Sequence, residues 1–268
     1  MKKIFYFLLS LTVLLLTSCH DNEDNPLVIK VGAVAGPDVA LIEAAKKEAL
    51  KKFGLEVKII TFSDYNMPNQ ALEDGAIDVN IFQHRQFLQN QIQLHGYAFS
   101  AIGDTFVYPM GLYSDKITTI SALSEKSKVG IPNDPSNETR ALLLLQNAGL
   151  ITLSEKQGSD ITLKDIEKNP KKLLIIEADA AQLPRLLDDV AIAAINANYA
   201  VAASIPIAKA LFSENKNSPY MNVIVTKTVN QHEKKIQEFV EAYQSQAVID
   251  EAKKIFGDGA IPGFEPKK

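Results

Sequence analysis

Apolar and polar positions along the chain follow two different periods, and together they predict a succession of strands and helices. Short runs of β-branched and aromatic residues are typical of strands, and they lie at residues 27–34, 56–62, 77–82, 128–132, 173–177, 190–196 and 220–226. Segments with an apolar residue every three or four positions are typical of helices, and they lie at residues 39–53, 68–74, 87–94, 136–148, 182–188 and, as a C-terminal pair, 230–256. Strands that alternate with helices predict an α/β fold with largely parallel sheets.

The segment from Thr105 to Tyr113 also has an extended pattern, but it contains Pro109. Proline cannot donate a hydrogen bond to a neighbouring strand, so it is confined to edges and irregular positions of sheets. We therefore predict an edge strand or a strand that bridges two parts of the molecule.

Two stretches of the chain resemble each other, at residues 72–78 and 187–193. Each follows a helix that begins at a proline, Pro68 or Pro184, and each leads into a strand that ends in polar residues. Two similar α/β lobes would explain this repetition, and ligands bind beyond the carboxyl ends of strands in such sheets. Chance similarity of two short acidic and apolar stretches is the alternative.

The N-terminus has the pattern of an export signal. Lys2 and Lys3 precede an apolar run at residues 4–16, and the chain's single cysteine, Cys19, follows shortly after. A basic start, a short apolar run and small residues before the cleavage point are typical of secretory signals, and a cysteine at that point resembles the bacterial lipobox. We predict a signal peptide at residues 1–18, lipidation of Cys19 and an acidic tether at residues 19–26. A transmembrane anchor, which needs about 20 apolar residues, and an ordinary signal that happens to contain a cysteine are the alternatives.

Composition excludes several classes of function. The net charge is −4, and no basic cluster is interleaved with aromatic residues, which argues against a nucleic-acid surface. The four histidines lack metal-ligand spacing, and neither a G-x-S-x-G elbow, a Walker loop nor a dinucleotide-binding glycine pattern occurs. The sequence therefore predicts no metal and no cofactor, although an acid/base enzyme needs no linear motif.

The segment at residues 129–140 is the strongest candidate for binding. A strand passes into a helix with Asp134 as a predicted N-cap, Pro135 in the first turn and Arg140 shortly after. Free N–H groups at the helix start and an arginine fork suit a carboxylate. The alternative is that Arg140 is a surface residue and Asp134 only a cap.

Other candidates follow predicted strands. His84 ends one of them, and Asn196 and Asn198 follow another. Aromatic residues occur in two further extended segments, 61–65 and 105–109. The alternatives are a histidine that only completes hydrogen bonds, amides that cap a helix, and aromatic residues of the core.

Taken together, these segments resemble the NlpA-type lipoproteins, the methionine-binding lipoproteins that serve ABC importers. The matching stretches lie at residues 61–65, 80–84, 103–109, 132–137, 140–146, 182–185, 195–199 and 218–220. The resemblance implies a two-lobed periplasmic-binding-protein type II fold with a ligand cleft between the lobes. Lobe I is then expected at residues 27–108 and 226–268, and lobe II at residues 109–225.

The resemblance also implies roles for individual residues. Arg140 is expected to hold the ligand carboxylate. Asn198, with Asn137 or Glu138 nearby, is expected to receive the α-ammonium or to fix the carboxylate further, and Asn196 belongs to the same set. The side-chain pocket is expected to have aromatic walls, formed by Tyr65, Phe82, His84 and Tyr108.

The function implied is that of a lipid-anchored, monomeric binding protein of the cell envelope. It would capture L-methionine or a close analogue, without chemistry on the ligand, for an ABC permease and its ATPase. The alternatives are a binder of another small amino acid or of a methionine-containing dipeptide, an exported enzyme on a similar fold, and a surface lipoprotein that binds a protein partner.

Overall fold

The computed structural model describes residues 28–155 and 160–267. The predicted signal peptide, Cys19 and the tether lie outside the described residues. The strands are β1 (Val28–Val34), β2 (Glu56–Phe62), β3 (Val79–His84), β4 (Phe99–Val107), β5 (Gly111–Tyr113), β6 (Lys128–Pro132), β7 (Thr152–Leu153), β8 (Ile166–Lys168), β9 (Leu174–Ala178), β10 (Ile192–Ile195), β11 (Phe212–Ser213), β12 (Met221–Lys227) and β13 (Ile261–Pro262). The helices are α1 (Pro37–Phe53), α2 (Met67–Glu73), α3 (Arg85–His95), α4 (Pro135–Asn147), α5 (Leu183–Leu186), α6 (Ala197–Ala202), α7 (Lys234–Tyr243) and α8 (Gln246–Phe256).

Lobe I is built on a six-stranded sheet in the order β13-β4-β12-β3-β1-β2. β1 pairs in parallel with β2 and β3, whereas β12 lies antiparallel between β3 and β4. Helices α1, α7 and α8 pack together beside this sheet, and their apolar faces form one core with it.

Lobe II is built on a five-stranded sheet in the order β11-β5-β10-β6-β9. β6 pairs in parallel with β9 and β10, whereas β5 lies antiparallel between β10 and β11. A second core lies between this sheet and α4. The predicted α/β class with two lobes is confirmed.

The antiparallel strands β5 and β12 mark the places where the chain changes lobes. The segment predicted as one extended strand is divided, because β4 pairs within the first sheet and β5 within the second. Residues 108–110 therefore form the first crossover. The return follows β11 and ends at Met221, because β12 pairs with β3 and β4 in lobe I. The predicted end of lobe II at residue 225 therefore falls inside a lobe I strand.

A third apolar cluster joins the lobes. Val34, Phe82 and Phe87 of lobe I contact apolar residues of lobe II, among them Leu183 and Tyr199. Burial of apolar surface between lobes favours the closed arrangement seen here. Among the described residues, no helix is both long enough and apolar enough to cross a bilayer.

Candidate ligand-binding site between the lobes

A cavity lies where the two sheets face each other. The parallel strands β1 and β3 end at the cleft from one side, and β6 and β10 end at it from the other. Polar residues that follow these strands are therefore brought together. The cavity is lined by Tyr65, Phe82, Gln83, His84, Phe87, Tyr108, Asn137, Arg140, Asn196, Ala197, Asn198 and Asn222.

Side-chain hydrogen bonds join the lobes across the cleft. Four of them are Tyr65 Oη to Asn198 Oδ1 (2.7 Å), His84 Nε2 to Asn137 Oδ1 (3.3 Å), Asn66 Nδ2 to Asp179 Oδ2 (3.3 Å) and Asn90 Nδ2 to Asp160 Oδ2 (2.9 Å). The first two connect residues of the cavity wall itself. The described lobes are therefore closed on each other.

Helix α4 begins beside the cavity as the sequence predicts. The carboxylate of Asp134 accepts a hydrogen bond from the Asn137 backbone N–H at 3.0 Å, and Pro135 occupies the first turn. The same carboxylate accepts two further bonds from Asn137 Nδ2. This cap fixes the Asn137 amide, so its Oδ1 has a defined position in the cavity wall.

Arg140 lies on the second turn of α4 and is only 3% exposed. Its Nε and Nη2 donate to Glu214 Oε1 and Oε2 at 2.8 and 2.6 Å, and Nη2 also donates to the Tyr108 carbonyl at 2.7 Å. The Tyr220 ring lies under the guanidinium, 4.3 Å from Cζ. Of the three nitrogens, Nη1 has no acceptor among the described residues, so it remains for a ligand.

His84 is a neutral donor in this site. Its Nδ1 accepts the Phe87 N–H at 3.1 Å as the N-cap of α3, which places the proton on Nε2, opposite Asn137 Oδ1. Burial, and then the charge of Arg140, lower the pKa of His84 to about 3. The imidazole therefore stays uncharged beside Arg140 throughout the physiological range.

The asparagine amides differ in what they leave free. Asn137 Oδ1 accepts from Asn196 Nδ2 at 2.9 Å as well as facing His84, so the Asn137 amide is fully used. Asn196 Oδ1 is buried and has no partner among the described residues. Asn198 Oδ1 accepts one bond from Tyr65, so it already has a donor, and the Asn198 amide nitrogen has no acceptor among the described residues. A buried acceptor without a donor is costly, so Asn196 Oδ1 suits a cationic ligand group.

Part of the cavity wall is aromatic. Tyr65 lies 5.8 Å from Phe82, 5.9 Å from Phe87 and 4.8 Å from Tyr199, measured between ring centroids. Phe82 and Phe87 meet edge to face at 5.7 Å. These rings provide an apolar wall whose edges suit a polarisable group such as a thioether.

Eight of the nine predicted site residues line this cavity, and Glu138 does not. The Glu138 carboxylate instead accepts from the Leu163 N–H at 3.1 Å. Glu138 and Arg140 are two positions apart on α4, and residues at that spacing do not share a helix face. The expectation that Glu138 could receive an ammonium group is therefore wrong for this arrangement.

Sequence reasoning missed four residues of the cavity wall, Gln83, Phe87, Ala197 and Asn222, and two residues beside it, Glu214 and Tyr220. Asn222 reaches the wall because antiparallel β12 starts at the edge where β3 ends, and it lies opposite His84 in the register. Glu214 and Tyr220 hold Arg140 from the segment around the return crossover. A polar residue near the start of the strand predicted at residues 220–226 was the available signal for Asn222, but the strand's direction is not visible in the sequence.

Asp38 lies behind the cavity wall, in the first turn of α1, and is 4% exposed. Burial raises its pKa to about 7, and the Tyr108 hydroxyl opposes that rise. The groups that interact with it electrostatically are the phenols of Tyr65, Tyr108, Tyr199 and Tyr243. Asp38 is thus a buried acid among tyrosines, two of which, Tyr65 and Tyr108, form part of the cavity wall.

Known proteins share both the sequence and the fold. The family model of the NlpA lipoproteins matches residues 29–264. The "D-methionine-binding lipoprotein MetQ" of Escherichia coli K12 is 45% identical over 254 residues, which cover 94% of each chain. An ABC transporter periplasmic substrate-binding protein from Coxiella burnetii is 52% identical, with a TM-score of 0.85 over 88% of this chain and all of that one. A nutrient-binding protein from Burkholderia cenocepacia, solved with bound methionine, is 44% identical, with a TM-score of 0.86 over 88% of this chain and all of that one.

These likenesses extend over nearly the whole chain, so they concern both lobes and the cleft between them. The fold of substrate-binding proteins agrees with the two sheets and the crossovers described above. The chain belongs to the NlpA lipoprotein family.

Proposed function

We propose that this protein is a lipid-anchored binding protein that captures methionine in the cavity between its lobes and delivers it to an ABC permease with its ATPase. The observation that carries the proposal is the pair of unused polar groups in the cavity wall, Arg140 Nη1 and Asn196 Oδ1. One is a cationic donor and the other a neutral acceptor, which matches the carboxylate and ammonium of an amino acid.

The ligand carboxylate binds Arg140 through Nη1 in this proposal. The amide nitrogen of Asn198 lies in the same wall and is a further donor. The ammonium group binds Asn196 Oδ1, because this buried oxygen has no donor among the described residues, whereas Asn198 Oδ1 already has one in Tyr65. This differs from the expectation that Asn198 receives the ammonium and agrees with its alternative role at the carboxylate.

The ligand side chain lies against the rings of Tyr65, Phe82 and Phe87. A thioether gains about 0.3–1.5 kcal/mol from each aromatic contact. Relatives named for D-methionine binding and a relative solved with methionine support this ligand. No chemistry on the ligand is proposed, since these relatives are described as binding proteins.

Membership of the family supports the proposed anchor and importer. NlpA proteins are lipoproteins, and Cys19 at the predicted signal cleavage point is the residue we assign to the lipid. A tether of eight residues then keeps the binding lobes near the membrane that holds the permease. Transporter-linked relatives such as the Coxiella burnetii protein support that partner.

Isothermal titration calorimetry of the full-length protein tests the ligand. L- and D-methionine, norleucine, a methionine dipeptide and 4-(methylthio)butanoate, which lacks the ammonium group, are titrated in turn. We expect methionine to bind most tightly and norleucine, which lacks sulfur, to bind more weakly. Absence of binding to both methionine enantiomers contradicts the proposal, and turnover of methionine would point to an enzyme instead.

The Asn196→Ala variant tests the ammonium site. Leaving a buried charged group unpaired costs about 1–3 kcal/mol or more, so methionine affinity should fall roughly 5-fold to 150-fold. Affinity for 4-(methylthio)butanoate should change little, because it has no ammonium group to lose. Asn230→Ala, in a short 3₁₀ turn of lobe I, is the matched control. An equal loss for both ligands contradicts the assignment of Asn196.

A further inference from the structure

Arg140 contacts both segments through which the chain crosses between the lobes. The first crossover, residues 108–110, offers the Tyr108 carbonyl to Nη2 at 2.7 Å. The second, residues 214–220, offers the Glu214 carboxylate to Nε and Nη2, and the Tyr220 ring to the guanidinium face. One side chain of lobe II thus binds both crossover segments, which together form the hinge between the lobes.

Glu214 connects the same two segments from the other direction. Besides Arg140, its Oε2 accepts the Met110 backbone N–H at 3.0 Å and the Ser218 hydroxyl at 3.0 Å. Glu214 itself belongs to the second crossover. Its carboxylate binds the first crossover at Met110 and also binds Ser218 within the second crossover. Its side chain is 11% exposed, so these bonds are largely shielded from water.

The pair defines which part of Arg140 is left for a ligand. Two parallel N–H···O bonds fix the plane of a guanidinium, because both partners are planar and rigid. Contacts on Nε and Nη2, together with the ring under Cζ, leave Nη1 as the free end. The buried positive charge is also balanced within the protein by Glu214, and an unbalanced charge at this depth would be strongly unfavourable.

We propose that Glu214 is a positioning residue for ligand binding: it orients Arg140 toward the ligand carboxylate and links that contact to both crossovers of the hinge. This inference rests on the proposed function, because it concerns the same ligand carboxylate. A ligand that binds Nη1 then adds to a network that already spans both crossovers, so that carboxylate recognition and restriction of the hinge occur together.

The Glu214→Gln variant tests the positioning role with two ligands. Methionine and methioninamide, in which an amide replaces the carboxylate, are measured by calorimetry, with competition against bound methionine to reach weak affinities. We expect the variant to lose at least 10-fold in affinity for methionine but less than 3-fold for methioninamide. Glu251→Gln, which changes a partly exposed glutamate of α8 paired with Lys254 at 2.8 Å, is the matched control and should change neither.

The outcomes separate this inference from the proposed function. If wild-type protein binds no methionine, both are overturned. If wild-type protein binds methionine but Glu214→Gln weakens both ligands equally, the residue has only a structural role and the inference fails alone. If the variant binds methionine more tightly, Glu214 only competes for Arg140, and the inference again fails.

Hydrogen–deuterium exchange tests the link to the hinge. Saturating methionine should slow exchange in wild-type protein at residues 80–84 of the cavity wall and at both crossovers. In Glu214→Gln saturated with methionine, we expect protection at residues 80–84 to remain and protection at the crossovers to be lost. Equal protection of the crossovers in both proteins overturns the proposed coupling.

Discussion

The ion pair between Arg140 and Glu214 makes Arg140 a residue of stability as well as of binding. From the sequence alone, Arg140→Ala would be expected to weaken binding and leave the fold intact. The structure changes that expectation, because Arg140 is 3% exposed and the Glu214 side chain 11% exposed. Removing the arginine leaves a carboxylate in a shielded place without its cation.

The size of the effect follows from these contacts. Removal of one partner of a buried ion pair costs about 3–5 kcal/mol, because the other charge stays buried without compensation. Domains have a free energy of unfolding of about 5–15 kcal/mol in total. Arg140→Met should therefore still fold but lose a large part of this free energy. In Arg140→Met/Glu214→Gln, the glutamine retains Met110 and Ser218 as neighbours and no charge is left. We expect the double variant to recover at least about 2 kcal/mol of the unfolding free energy that Arg140→Met loses.

Urea unfolding measures these free energies. The chain contains no tryptophan, so the transition is followed by circular dichroism at 222 nm, and methionine binding is measured on the same samples. Both variants should lose methionine affinity, since both lack the guanidinium. The reasoning is refuted if Arg140→Met lies within 1 kcal/mol of wild type, or if the double variant is less stable than the single one.

Three further predictions follow from other parts of the molecule. Burial raises the pKa of Asp38 from 3.8 to about 7, so its contribution to stability is fully present below pH 3.8 and is lost as pH rises through 7. When pH falls from 8 to 5, the free energy of unfolding of wild type, measured with urea, should therefore rise by about 2–3 kcal/mol relative to that of Asp38→Asn. Asp38→Asn is the reference because it retains His84, whose lowered pKa changes stability in the opposite direction. Parallel plots of unfolding free energy against pH for the two proteins contradict this prediction. Tyr65→Phe removes the 2.7 Å bond to Asn198 across the cleft, and methionine affinity measured by calorimetry should fall about 2- to 10-fold. Tyr97→Phe removes a hydroxyl that binds Gln70 within lobe I, and this control should bind methionine as wild type does. Equal affinities for the two variants would refute the role of the cleft bond. Cys19→Ala should be released from membranes or remain unprocessed in fractionation and acyl-labelling experiments, and an acylated, membrane-bound variant contradicts the lipidation of Cys19.

Local signals were sufficient for the elements that build the cavity. Asp134 and Pro135 mark the start of α4 by cap chemistry that needs no distant partner, and the structure has both in those places. Polar residues directly after parallel strands reach the cleft because the strand direction brings them there. For that reason His84, Asn196 and Asn198 could be found from the sequence.

Long-range pairing is what the sequence did not reveal. Glu214 lies 74 residues from Arg140 and follows the two-residue strand β11, which has no measurable period. The direction of β12 decides that Asn222 enters the cavity, and it also moved the expected lobe boundary from residue 225 to before Met221. The contact between Glu214 and Arg140 and the position of Asn222 both depend on which strands become neighbours in the sheets. A hydrophobic pattern does not contain that information. The error at Glu138 was of another kind, since helix geometry alone separates it from Arg140.

The balance of charge in the cavity argues for the class of ligand independently of any relative. Arg140 is the only residue of the lining with a formal charge, since His84 is neutral and the other polar groups are amides and phenols. Its charge is already compensated by Glu214. A ligand with a net charge would bring an uncompensated charge into this shielded space, which is strongly unfavourable. A zwitterion brings none, and its two charged groups find Nη1 and Asn196 Oδ1 free. An apolar side chain on that zwitterion meets the aromatic wall, so the cavity favours a neutral amino acid with a long apolar side chain over charged amino acids and over simple carboxylates.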